Sequence, residues 1–359
     1  MIRTNRNRAL ALTAAGVALA AVSAGPAAAS TSFAGKTIHI VVNFAAGGPA
    51  DGFIRHFVPY LSDRIPGKPT VVVENRTGAA GRIGANYIYN VAPADGTAIG
   101  FLVAVAAQDI VGGKNVKFDS TKFRWLGAVP QTQVLLGHKS LGVADGMRLA
   151  DTKQPIVFGT TGKSSNNALT TGLFLELIGV GFKQVTGYRG QAGTIQALRL
   201  GEVNFTDAGI SIYLPNRESW RKEALFGAVA QRGLLQLDGS FTRHPTMPDL
   251  PTMAEIIAAR SPGRLKTPEF NAIRALVGTT GVQFPLVLPP KAGKETAAAL
   301  ARAVAETFGD AKVRADAKRR FKYEYDFLDG VQSQAFVERL FADYRADPRV
   351  PKVVQRMLK

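Results

Sequence analysis

The sequence predicts an α/β chain in two domains, on three observations: strand-like and helix-like runs alternate from Lys36 onward, Gly-rich turns separate them, and the length exceeds what a single core usually organises. Such alternation implies mostly parallel, doubly wound sheets. Hydrophobic residues at 46% and charged residues at 20% are ordinary for a globular protein and argue against disorder.

The elements follow in chain order. Arg3, Arg6 and Arg8 precede an apolar stretch at 9–24, and Ala27, Ala28 and Ala29 supply a small-residue cleavage pattern. A secretory signal peptide over residues 1–29 is therefore expected, cleaved near Ala29, with the exported mature chain starting near Ser30. Its apolar stretch is short for a bilayer span, which takes about 20 residues. Residues 37–43 (TIHIVVN) form a β-branched strand, and 51–63 carry apolar Phe53, Ile54, Phe57, Val58 and Leu61 at helical spacing. A second unit pairs a strand at 70–74 with a helix over 85–91, and the apolar run 99–106 is read as a third strand. Further along, 155–159 (PIVFG) is a strand and 166–177 a helix with Leu169, Leu173, Phe174 and Leu177 on one side. A short strand at 182–185, a helix at 194–200 and a strand at 203–205 ending at Asp207 come next. Residues 224–230 and 275–278 are further strand candidates. Three helices, 295–308, 311–320 and 332–345, close the chain after an irregular stretch marked by Pro285, Pro289 and Pro290.

Composition narrows the function classes. Without cysteine there is no disulfide framework, no thiolate metal site and no lipidated cysteine at a new N-terminus. The formal charge of +17 becomes +14 when the three signal arginines leave. The basic residues are dispersed, no zinc or RNA-recognition motif occurs, and export separates the chain from cytoplasmic nucleic acid, so a nucleic-acid partner is not expected. A field favouring anionic ligands, or attraction to an anionic membrane surface, suits the compartment better. The cluster Lys312, Arg314, Lys318, Arg319, Arg320 and Lys322 is a candidate contact surface, although a solvated helix face is the plainer reading.

Three Gly-rich turns follow strands and open helices. A helix N-terminus offers unpaired N–H groups and positive partial charge, and glycine lets a ligand approach the backbone, so each turn is a potential carboxylate cradle or simply a tight turn. In open α/β sheets such turns gather at the carboxyl ends of the strands. Residues 157–164 (VFGTTGKS) imitate a P-loop, but Val157 stands where its first glycine belongs and no magnesium-binding Asp accompanies it. Residues 78–84 (GAAGRIG) lack dinucleotide-motif spacing. His39, His56, His138 and His244 are scattered, without metal-ligand spacing, and no G-x-S-x-G elbow is present, so no cofactor and no catalytic group is assigned.

The run KTIHIVVNFAAGGPADGF followed by VVVENRTGAAGRIGANYI resembles the N-terminal signature of the Bug family, the extracytoplasmic solute receptors of tripartite tricarboxylate transporters. Residues 94–97 (ADGT), VTGYRGQAGTIQALRLGEVNFTDAG and 247–255 (MPDLPTMAE) continue it in the family's order. The resemblance implies a two-domain periplasmic-binding-protein fold, a type II-like Venus flytrap, with the ligand cleft between lobes. Domain 1 would comprise 30–134 and 253–359, and domain 2 the inserted 135–252.

It further implies a small carboxylate ligand, di- or tricarboxylate or a related acid, gripped by loop N–H groups and water. Delivery would be to a transporter permease, with a sensor protein as the other possible partner, and the receptor is expected to be monomeric and not an enzyme. Carried over loop by loop, the ligand-binding residues of the first lobe are Phe44, Ala45, Ala46, Gly47, Gly48, Asn75, Gly78, Ala79 and Ala80, with Gly81 beside them. Those of the second are Thr160, Thr161, Gly162, Lys163, Ser164, Ser165, Tyr188, Arg189 and Asp207. Asp51 is assigned to capping its helix. Asn43-Phe44-Ala45-Ala46 departs from the family's proline-containing stretch, and Lys163 is unusual and is expected to favour a doubly charged acid. The rival readings are an exported hydrolase or transferase using Ser164, Ser165 or Asp207 on a small anion, and a nucleotide-dependent P-loop protein.

Overall fold

The computed structural model describes residues 31–359 except Ala144 and Leu237, so the signal-peptide expectation lies outside the described residues. The chain opens with β1 (Thr37–Val42), α1 (Pro49–Arg64), β2 (Thr70–Asn75), α2 (Arg82–Asn90), β3 (Ala98–Phe101) and α3 (Val105–Val111). Then come β4 (Arg124–Val129), β5 (Gln133–His138), β6 (Ile156–Gly159), α4 (Asn166–Leu177), β7 (Phe182–Val185) and α5 (Gly190–Leu200). Next are β8 (Phe205–Gly209), α6 (Ile210–Glu223), β9 (Phe226–Gln231), a small hairpin of β10 (Leu234–Leu235) and β11 (Phe241–Thr242), α7 (Met253–Arg260) and α8 (Pro268–Gly278). The last part holds β12 (Phe284–Leu288), α9 (Lys294–Gly309), α10 (Ala311–Phe321), β13 (Leu328–Asp329), α11 (Gly330–Ala346) and α12 (Arg349–Met357). None of the described helices is long and apolar enough to cross a membrane.

Two sheets organise these elements. The first has the order β13-β4-β12-β3-β1-β2 and the second β7-β6-β8-β5-β9. β1 pairs parallel with β2 and β3, and β6 parallel with β7 and β8, which are the strand-helix-strand units legible in the sequence. In each sheet one antiparallel strand is wedged beside the parallel set: β12 between β3 and β4, β5 between β8 and β9. Each wedged strand is the first after the chain has changed sheets, at residues 130–132 on the way out and beyond Gln231 on the way back. The sheets are therefore mixed, although most of their strands run one way. That reciprocal exchange gives two α/β lobes joined by crossing segments.

Apolar burial holds the layers together. On one face of the first sheet Phe53, Phe57, Phe101, Phe284, Phe308 and Tyr325 form a ring cluster under α1 and α9, with Phe57 and Phe308 stacked at 4.3 Å between centroids. Its other face belongs to a core that runs through α8 and α12 into the second sheet, where Phe158, Leu173 and Phe205 continue it. A third cluster, around Leu136, Leu198 and Trp220, covers the far face of the second sheet.

Four expectations about elements are corrected. The apolar run 99–106 is not one strand: β3 stops at Phe101, Ala104 takes φ 59°, and α3 begins at Val105. A fully buried run has no face periodicity to separate strand from helix. For the same reason 275–278 is the end of α8, which Thr267 caps and Pro268 starts. The strand expected at 203–205 lies at 205–209. Pro285, taken as a mark of irregular chain, sits inside β12 next to a register shift between Leu286 and Val287, where a missing N–H is tolerated.

Candidate functional site

The first-lobe half of the site is built where β1, β2 and β3 end. After Val42 the chain turns through residues 43–48 into α1, whose start has Gly48 before it and Pro49 as its first residue, without a side-chain cap. Asp51 is thus not the cap. It lies in the first turn, buried, and accepts from the Gly47 N–H, from Arg55 Nε and from Asn75 Nδ2, each at 2.9 Å. Burial pushes its carboxyl up, but the bonds from Arg55, Gly47 and Asn75 outweigh that and hold it below its ordinary range. Its charge is consumed by the loop. Asn75 also donates to the Phe44 carbonyl at 2.9 Å, so one side chain joins the first two turns.

The second turn is strained. Gly78, Ala79, Ala80 and Gly81 take φ of 118°, 47°, 56° and 91° in succession. For the two alanines the left-handed region costs about 1–2 kcal/mol each, so neighbours must hold them there. Gln108 Nε2 donates to the Ala80 carbonyl at 2.9 Å. The buried Asn43 side chain accepts from Val103 N–H at 2.9 Å and donates to the carbonyls of Val103 at 3.1 Å and Gly81 at 3.4 Å. A Cβ on Gly81 would meet Asn43 Nδ2 at 2.6 Å. Within this bracing, the amides of Phe44, Ala45, Ala46, Ala79 and Ala80 donate to no protein acceptor among the described residues.

The second-lobe half is capped more conventionally. Ser165 Oγ accepts from Ala168 N–H at 3.1 Å as the N-cap of α4 and lies 3.0 Å from Thr160 Oγ1, while Thr160 N–H donates to Val185 at 2.9 Å. The amides of Thr161, Gly162, Lys163 and Ser164 have no protein acceptor among the described residues. Beneath them Arg232 is fully buried, and its Nη2 donates to Asp207 Oδ2 at 2.7 Å and Asn167 Oδ1 at 3.1 Å. Asn167 Nδ2 donates to the other Asp207 oxygen at 2.6 Å. Burial pushes the Asp207 carboxyl up and the Arg232 guanidinium down, each opposed by the charge of the other. Beside this pair Gln191 bridges Gln133 Oε1 at 2.8 Å and the Gly209 N–H at 3.1 Å.

The sequence-derived residues thus fall into three groups. Phe44, Ala45, Ala46, Gly47, Gly48, Asn75, Gly78, Ala79 and Ala80 come together as one braced pair of turns. Thr160, Thr161, Gly162, Lys163, Ser164 and Ser165 form the loop into α4, and Lys163 and Ser164 share a cavity with Arg82 and Lys114 of the first lobe. Asp207 has both oxygens engaged inside the lobe, Tyr188 points its hydroxyl to Glu202 at 3.5 Å, and Arg189 is exposed before α5. Sequence reasoning missed Asn43, Gln108, Asn167, Gln191 and Arg232 as supports. Asn43 alone carried a signal, as the departure at the end of the first strand. The basic cluster on α10 is partly spent internally: Lys318 pairs with Glu324, Arg319 with Asp316, and Arg314 bonds the Tyr325 carbonyl.

One mutational outcome follows from Asp51. Its folded-state pKa is depressed, so its stabilising contribution is present above the ordinary carboxylate pKa and is lost as pH falls through the lower folded value. Acid titration of stability should therefore be shallower below about pH 4 in Asp51→Asn than in the parent chain. An unchanged slope would exclude Asp51 as a contributor.

Two exchanging α/β lobes with open strand-to-helix turns at their strand ends define the fold of the periplasmic solute-binding proteins. Among solved structures the chain is similar to the periplasmic binding protein BugD, with 20% identity, a TM-score of 0.61, and 89% of this chain and 96% of that one covered. It is also similar to Rpa4515 of R. palustris, solved with adipate, at 22% identity and a TM-score of 0.65, covering 89% of this chain and 97% of that one. A UPF0065 protein of the tcbD-tcbE intergenic region of Pseudomonas sp. (strain P51) is 28% identical over 260 residues, 69% of this chain and 71% of that protein. No family model matches the chain. The Bug-type likeness read from the motifs is thus met by the fold and by this relative.

Proposed function

We propose that this chain is a periplasmic receptor that captures a small di- or tricarboxylate, or a related organic acid, between its lobes and delivers it to the permease of a tripartite tricarboxylate transporter. The observation that carries the reading is the braced pair of first-lobe turns, whose free amides are held ready in a conformation the alanines would otherwise avoid. Successive N–H groups in such a concavity bind anions, and the start of α1 adds positive potential to the same end of the sheet. The adipate in Rpa4515 supports a dicarboxylate. The first lobe would be 30–134 with 253–359 and the second 135–252, a division whose first boundary falls inside β5, just past the crossing at 130–132. Asn75, Gly78, Ala79 and Ala80 would hold the acid from one side with Phe44 to Gly48, and Thr160 to Ser165 from the other, as the lobes close. Tyr188 and Arg189 would reach the ligand only from the rim, and Asp207 would act through Asn167.

Calorimetry of the mature chain against mono-, di- and tricarboxylates tests this. At least one acid should bind saturably at one per chain, and chromatography should recover it unchanged. Failure of every acid to bind, or consumption of one, would overturn the reading.

A further inference from the structure

A cavity of about 430 Å³ lies on the seam where the α4 loop meets the first lobe, directly beyond the braced turn that ends at Gly81. Its lining includes Arg82 at the start of α2, Lys114 in the turn after α3, and Lys163 with Ser164 from the second lobe. No acidic residue lines it. None of the three cations enters an ion pair among the described residues. Arg82 Nε is buried without a hydrogen-bond partner. The turn that carries Lys114 begins with Gly112 and Gly113 at φ 68° and 107°, and the amides of Gly113, Lys114 and Asn115 donate to no protein acceptor among the described residues.

We infer that this seam cavity is a second anion site, for a phosphate-class oxyanion carrying at least two negative charges. Three like charges facing one small space repel one another, and a single carboxylate would offset only one of them. A tetrahedral oxyanion brings both the charge and enough acceptor oxygens for two ammonium groups, a guanidinium, the Ser164 hydroxyl and backbone amides. Since Lys163 belongs to one lobe and Arg82 and Lys114 to the other, its occupant bridges the lobes. The cavity shares Lys163 and Ser164 with the second-lobe loop of the carboxylate reading, and Arg82 Nη1 donates to the Ala79 carbonyl at 3.5 Å, so the two readings are separated by whether their anions compete.

The test is calorimetric titration of the full mature chain with inorganic phosphate, with the carboxylate panel run in parallel. Phosphate should bind, at least tenfold more weakly in Lys163→Ala and in Arg82→Ala, and with no change in Lys153→Ala, an exposed lysine outside the cavity. Affinity should also fall from pH 7.5 to 5.5, as inorganic phosphate passes from mostly dianion to mostly monoanion. No phosphate binding at millimolar concentration, or an equal loss in Lys153→Ala, would overturn the inference whether or not carboxylates bind. Phosphate binding with the stated pattern would support it even if every carboxylate failed, whereas displacement of phosphate by a carboxylate that binds would overturn it by placing both anions in one site.

Discussion

Asp207→Ala will cost about 3–5 kcal/mol of folding stability, the penalty for leaving a buried charge without its partner. Arg232 is wholly enclosed, its Nη2 is bonded only to Asp207 and Asn167, and its Nε and Nη1 have no acceptor. Removing the carboxylate leaves the guanidinium with one amide oxygen and no route to water. The paired replacement Asp207→Leu with Arg232→Met removes both charges at similar volume and should recover most of the loss, because a buried ion pair barely repays its own desolvation. Urea unfolding of the three proteins measures both effects. A single variant within about 1 kcal/mol of the parent, at a site where surface substitutions usually do no more, would mean that the pair is hydrated in solution. The same pair orients Asn167 on the first turn of α4, so the stabilised double variant should bind a carboxylate less tightly than the parent despite its recovered fold.

Asn43→Ala should weaken carboxylate binding at least tenfold and destabilise the chain by about 2 kcal/mol, the cost of an orphaned buried N–H and the carbonyls it leaves. Asn43 and Gln108 each bond both Val103, just after β3, and the Gly78–Gly81 turn, so without Asn43 the left-handed alanines lose one of their two braces. The expected signature is a loss of affinity larger than the fall in stability alone would produce at 25 °C, since a chain that is still almost wholly folded binds with nearly full occupancy of its native state. Calorimetry at a temperature well below the unfolding midpoint separates the two. Unaltered affinity with reduced stability would reassign Asn43 to the core and remove the brace from the binding argument.

Much of the architecture was legible because it is local. The parallel units β1-α1-β2 and β6-α4-β7 announce themselves through β-branched runs, Gly-rich turns and apolar spacing, and α4 and β7 lie where the periodicity puts them. The antiparallel strands did not announce themselves. β4, β5 and β12 are buried on both faces, so their sequences alternate with nothing, and Pro285 argued against the last of them. The helices α6, α7 and α12 escaped for related reasons: α6 carries Pro215 in its interior, and the other two are short.

The candidate site divides along the same line. By itself the sequence determined which turns open helices and carry little side-chain bulk, since glycine and alanine at 45–48 and 78–81 declare a backbone surface without any partner being known. Only the tertiary structure decided that Asn43 would reach Val103 across 60 residues, that Asn167 would reach Asp207 across 40, and that Arg232 would be interred against both. Side-chain periodicity reports which face of an element is buried, whereas a hydrogen bond between distant strand ends depends on sheet order, and that order is set by where the chain crosses between lobes.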